Sequence, residues 1–155
     1  MSYVTRVLQP GESVVYATKL HWLIYIRAIV LLMICVILLG AAITVADNPN
    51  FSLALEIAAG ISALLALSAA IGAFIRRATT ELAVTDHRVI YKAGLLRRHT
   101  LEMNRDKVES VTVDQTILGR LLGYGTVIVR GTGSSLEPIR NIGNPLTFRS
   151  HITAG

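Results

Sequence analysis

Two long uncharged apolar runs decide what this chain can become. The first, Ala28 to Ala46, reads AIVLLMICVILLGAAITVA, and the second, Ile57 to Ile75, reads IAAGISALLALSAAIGAFI; each is nineteen residues without Asp, Glu, Lys or Arg. A helix rises about 1.5 Å per residue, so each run reaches across roughly the 30 Å hydrocarbon core of a bilayer. A helix at the edge of a water-soluble core would show a polar stripe on its outer face, and neither run has one. Between them, Asp47-Asn48-Pro49-Asn50 is a turn cluster that breaks a helix. The pattern predicts a transmembrane helical hairpin over residues 21–77, with spans of about 22–46 and 52–75.

The flanks orient it. Lys19 and Arg27 bracket the entry to the first run, Arg76 and Arg77 follow the second, and the connecting turn carries Asp47 and no base. Segments rich in Lys and Arg stay in the cytoplasm, so the expectation is a multi-pass inner-membrane protein with both termini cytoplasmic. The same bias accounts for the net charge of +5 without a nucleic-acid partner. A cleaved signal peptide is disfavoured, because the first run is too long for an h-region and a second span follows at once. Charged residues are 16% of the chain, against roughly 25% in a soluble domain.

Details of the runs fit this setting. His21, Trp22 and Tyr25 fall where amphipathic rings settle at the headgroups, and Arg27 is close enough to that end to snorkel outward. Glu56 follows the outer turn closely and needs water, a polar neighbour or a partner subunit. Ala59, Ala63, Ala66, Ala70 and Ala73 repeat by four, three, four, three and form a small-residue packing seam. Whether that seam meets the first span or a second copy is open at this level. Cys35 is the single cysteine and reads as a small mid-span filler, with no disulfide framework.

Residues 1–20 form a short cytoplasmic lead that either adds a strand or lies at the interface; residues 78–155 read as a β-rich domain. Glu81 to Thr85 alternates, Asp86-His87 turns, and Arg88 to Lys92 runs back as a hairpin. Gly94-Leu95 leads into a strand from Arg97 to Asn104. Lys107 to Asp114 and Tyr124 to Arg130 alternate as half-buried strands. Thr116 to Leu122 has helical spacing with Gly123 as its stop, Leu136 to Ile142 is a further strand, and Pro145 to Ile152 begins a closing helix.

The order Thr85-Asp86-His87-Arg88, Gly94-Leu95-Leu96, Ser110-Val111-Thr112-Val113 and Leu118-Gly119-Arg120-Leu121-Leu122-Gly123-Tyr124-Gly125-Thr126 resembles the bacterial pleckstrin-homology (PH)-like, membrane-flanked domain proteins. Leu8-Gln9-Pro10-Gly11-Glu12 with His21-Trp22 is similar to that family's lead into its paired spans. The resemblance implies a small bent antiparallel β fold with a C-terminal helix, tethered to the cytoplasmic face, and carries over no catalytic motif. Pleckstrin-like domains that grip inositol phosphates commonly use a basic loop between their first two strands. With Asp86-His87 taken as that loop, specific phosphoinositide binding does not carry over.

No chemistry stands out. His21, His87, His99 and His151 lack metal-ligand spacing, and the carboxylates Glu102, Asp106, Glu109 and Asp114 belong to the wet face of alternating strands. Gly123-Tyr124-Gly125 and Gly131-Thr132-Gly133 lack the context of a phosphate cradle, and Ser134-Ser135 lacks a nucleophile elbow. No enzyme, metal or cofactor is expected. Arg76, Arg77, Arg88, Lys92, Arg97 and Arg98 are the candidate lipid-headgroup contacts, each base near an anionic surface being worth about 1 kcal/mol. The expected function is non-catalytic binding or scaffolding at the membrane, on anionic lipid, through self-association into a homo-oligomer, or on another membrane protein. The alternative is a subunit of a larger membrane assembly or an accessory component of a transporter or channel.

Overall fold

The computed structural model describes Val4 and residues 7–95, 99–132, 134–135 and 138–153. The chain divides into two compact units, Trp22–Ile75 and the pair of segments Met1–His21 and Arg76–Gly155.

In the helical unit a 3₁₀ turn at Trp22–Tyr25 leads into α1 (Ile26–Thr44), and α2 follows as Pro49–Thr79. The second helix begins earlier than the expected 52 because Pro49 opens it instead of sitting in the turn. At the first helical position a missing N–H costs nothing and the fixed φ is already helical. Asn48 Oδ1 accepts the Phe51 N–H at 3.4 Å just before it. Both helices are long and apolar enough to cross a membrane.

Their shared face follows a seven-residue rhythm. Ala28, Cys35 and Ala42 are buried on α1, and Ala59, Ala66 and Ala73 on α2. A strict heptad keeps one narrow seam in register along a helix pair, and side chains this small let the backbones approach closely. Ser62, buried on the same face, donates from Oγ to the Leu31 carbonyl at 2.8 Å. Ala63 and Ala70 flank the seam and line an apolar groove of about 360 Å³ with Tyr25, Ala28, Ile29 and Leu32. The alanine seam thus meets the first helix. On the opposite faces the large residues point outward, as with Ile43 at 77% exposure and Leu64 at 69%. Glu56 accepts the Ser52 hydroxyl at 3.3 Å, one turn earlier on its own helix.

The β unit holds two antiparallel sheets. One has the order β1 (Val14–Thr18), β2 (Glu81–Thr85), β3 (Arg88–Ala93) and β4 (His99–Asn104). In the other, β6 (Tyr124–Gly131) pairs with β5 (Val108–Asp114), β7 (Ser134–Ser135) and β8 (Ile139–Gly143). Between β5 and β6 lies a short helix, α3 (Ile117–Leu122), and the chain closes with α4 (Pro145–Thr153). Leu82, Val84 and Val89 of the first sheet meet Val127, Val129, Ile139 and Ile142 of the second, and Phe148 and Ile152 of α4 seal the end. The reverse face of β2 and β3 is also dry, because Val4 packs with Ala83 and Ile90.

Of the two readings of the lead, the added strand holds: Val14–Thr18 is an outer strand paired with β2, which makes the lead part of the β unit. Two other expectations change. Asp86-His87 is therefore the turn between the second and third strands. The connection between the first two strands is the entire helical hairpin. The strand expected from Leu136 to Ile142 runs from Ile139 to Gly143, and Leu136 itself lies outside the described residues.

Candidate functional site

The β unit has two differently built ends. At one end, the β2–β3 turn is clamped to the lead. Arg88 donates from Nε and Nη2 to the two carboxylate oxygens of Glu12 at 2.9 and 2.7 Å, from Nη1 to Glu102 at 2.5 Å, and from Nη2 to the Val7 carbonyl at 2.8 Å. A bidentate guanidinium–carboxylate pair fixes geometry as well as charge. The Thr85 hydroxyl donates to Glu12 at 2.7 Å and accepts the Arg88 N–H at 2.9 Å, and Asp86 accepts the Ser13 N–H at 3.1 Å. The Glu12 side chain is only 3% exposed, and the bond from Arg88 holds its carboxyl down to about 2. Asp86 is lowered and His87 raised by their mutual hydrogen bond. Nearby, Arg105 donates to the His151 and Ile152 carbonyls at 2.9 and 3.3 Å and so caps the C-terminal end of α4.

At the other end the chain passes to and from the helices. The lead crosses to the second sheet there, with Gly143 N–H donating to the Lys19 carbonyl at 3.3 Å and His21 N–H to the Asn141 carbonyl at 2.6 Å. The His21 ring stacks on Tyr124 at 5.5 Å between centroids and hydrogen-bonds the Leu122 backbone. Burial lowers its pKa first, and the charge of Arg77 adds to the effect. The hairpin therefore leaves and re-enters the β unit beside α3.

α3 has a defined start and stop. Thr116 Oγ accepts the Gly119 N–H at 3.0 Å, and Gly123 ends the helix at φ 74°, in the left-handed region that favours glycine. Gly119 is the buried residue of this helix, and a Cβ there would stand 2.8 Å from the Tyr124 carbonyl oxygen. That leaves the large side chains outside: Ile117 is 88% exposed and Leu121 80%, with Leu118 and Leu122 exposed beside them. Helical spacing reveals such a helix but not its facing. The glycine in its middle is the signal, because a glycine inside a helix costs about 1 kcal/mol and persists where a side chain would clash.

The six candidate headgroup contacts do not form one group. Arg76 and Arg77 occupy the last turn of α2 and are exposed, on the side where the chain joins the β unit. Lys92 is half-buried and faces Glu81 across the β2–β3 ladder at that same end. Arg88 is at the other end, roughly 13 Å away along β3, with its guanidinium engaged by Glu12 and Glu102. Its role is to tie the lead to the hairpin turn, so the motif Thr85-Asp86-His87-Arg88 is a structural staple. Arg97 and Arg98 lie outside the described residues. A further groove, of about 570 Å³, runs along β1 between Val4, Tyr16, Thr18, Lys19 and Glu81.

A family model described as "Bacterial PH domain" matches residues 15–155. Neither the curated proteins nor the solved structures contain a match to the chain.

Proposed function

We propose, because this chain belongs to the bacterial PH domain family, that it is a membrane-anchored, non-catalytic binding module. In this reading α1 and α2 cross the bacterial inner membrane as a hairpin with both termini in the cytoplasm, and the β unit binds or scaffolds at the membrane surface. The observation that carries it is the helix pair, which buries alanines and turns Ile43, Leu64 and their like outward. Such an arrangement is stable only where the surroundings are themselves apolar. The orientation rests on the bases at Lys19, Arg27, Arg76 and Arg77 and on the base-free outer turn.

A topology reporter fused after Gly155 is expected to be active only in the cytoplasm, and one inserted at Asn48 only outside. The opposite pattern overturns the orientation, and cytoplasmic activity at both positions overturns the crossing. For the binding partner, Arg76, Arg77 and Lys92, joined by Arg97 and Arg98, support diffuse attraction to anionic headgroups. Full-length protein in nanodiscs should then recruit anionic lipid in proportion to total charge. Salt should abolish the effect, since exposed charges are screened over about 8 Å at physiological ionic strength. A salt-resistant preference for one headgroup would replace this reading with a specific pocket, and no enrichment would favour a protein partner or self-association.

A further inference from the structure

We infer that α3 is a second membrane contact, an interfacial wedge whose Ile117, Leu118, Leu121 and Leu122 enter the headgroup and upper acyl region of the bilayer that holds the hairpin; the inference rests on the membrane-crossing reading above. Four large apolar side chains are exposed on six residues, and they share one face because positions i, i+1, i+4 and i+5 adjoin on a helix. Leu146, 59% exposed, adds to the same region, lining a shallow pocket with Arg120. On a water-soluble surface this concentration of exposed leucine is unfavourable and marks a contact site.

The occupant follows from chain connectivity. His21 is the last residue of the β unit before the first helix, and its ring hydrogen-bonds the Leu122 backbone and stacks on Tyr124. Arg77, just past the second run, lies close enough for its charge to act on that ring. The exposed leucines are thus held at the point where the chain enters and leaves its proposed membrane segments. An interfacial helix buries its apolar face about 5–10 Å into the headgroup boundary, with bases at its flank meeting anionic lipid, and the exposed Arg120 supplies one. Gly119 lets the helix lie flat on β6 and aims the leucines outward.

The test uses the full chain with Cys35→Ala, reconstituted in phosphatidylcholine–phosphatidylglycerol vesicles. Single cysteines at Leu121, Leu64 and Asp106 carry an environment-sensitive fluorophore. Asp106 is the control, because it precedes β5 at the end remote from α3, roughly 20 Å along the strand. The expected result is a blue-shifted Leu121→Cys probe, quenched by lipids brominated high in the acyl chain, beside a quenched Leu64→Cys probe and an unquenched Asp106→Cys probe. Quenching at Leu64 with none at Leu121 overturns the wedge and leaves the membrane-crossing reading intact. No quenching at either position overturns the reading beneath it. A blue-shifted Leu121 probe that ignores brominated lipid and transfers energy to a second labelled copy overturns the wedge in favour of self-association.

Discussion

The two units use apolar residues in opposite senses. The helical unit buries Ala28, Ala42, Ala59, Ala66 and Ala73 and exposes Leu32, Ile43, Leu64 and Phe74, whereas the β unit buries Phe148, Leu82, Ile90 and Ile142 completely. On the membrane-crossing reading proposed above, the reason is the solvent each one faces. Against water, the gain comes from the apolar area removed from it, so the largest side chains go inside. Against lipid there is no such gain, because acyl chains are as apolar as leucine; only close packing is left, and the smallest side chains permit the closest approach. On the proposed wedge, α3 departs from the rule of the β unit and follows that of the helices.

The difference is broken most forcefully by truncation at the centre of the β core. Phe148→Ala removes a fully buried ring from α4 and should cost about 4 kcal/mol. Hydrogen exchange of the full chain in detergent should show β6 amides losing protection while amides of α1 and α2 keep theirs. Equal loss in both would mean that the two units do not unfold separately. The complementary change adds bulk to the seam. Ala59→Leu places a large side chain where 1% of the alanine is exposed, and overpacking of this kind costs about 2 kcal/mol. Thermal unfolding followed by helical circular dichroism should fall with β6 protection unchanged.

How much of this was legible in the sequence follows the same divide. The helices were plain, because nineteen uncharged residues have few other fates, and their ends moved by only a few residues when Pro49 proved to open a helix. The strands from Lys107 to Arg130 were also readable, because one wet face imposes alternation, whereas β2 and β3, dry on both faces, were marked by the Asp86-His87 turn between them. The place of Val14–Thr18 was not: its partner Glu81–Thr85 lies across the whole hairpin, and no local pattern encodes a pairing over that separation. For the same reason the sequence does not reveal the Glu12–Arg88 clamp, and sets Arg88 among bases that it does not accompany in the fold. The outward facing of α3 was hidden because period alone cannot tell an exposed apolar stripe from a buried one.

The clamp gives the β unit an acid-sensitive element that the helical unit lacks at its seam. Glu12→Gln should destabilise the full chain by about 2 kcal/mol at neutral pH, through loss of charge-assisted bonds to Arg88. Because Arg88 holds the Glu12 carboxyl at about 2, below its ordinary 4.5, its contribution is complete above pH 4.5 and is lost as pH falls from there towards 2. The gap between native and variant in denaturant titrations should therefore be constant from pH 7 to about 5 and close on further acidification. A gap that widens in acid would mean that another group controls the end of the β2–β3 turn.

The smallest effect is the sharpest test of the contrast. Leu64→Ala deletes the same atoms as Leu82→Ala, yet one side chain is 69% exposed on α2 and the other 1% exposed in the β core. For Leu82 the lost transfer energy and the cavity left behind should cost about 3 kcal/mol. For Leu64, lipid fills the space and is no poorer a neighbour than the lost side chain, so unfolding of reconstituted protein should change by less than about 0.5 kcal/mol. Insertion loses only the roughly 0.5 kcal/mol that one leucine contributes at a helix centre, too little to displace so apolar a run, so the Asn48 reporter should be unaffected. The measurement is paired thermal unfolding of the two variants in the same vesicles. If Leu64→Ala proves as damaging as Leu82→Ala, Leu64 is packed against protein. The outer face of α2 would then be an interface with a second copy or another membrane protein, and the rule that large residues on these helices meet only lipid would fail at that position.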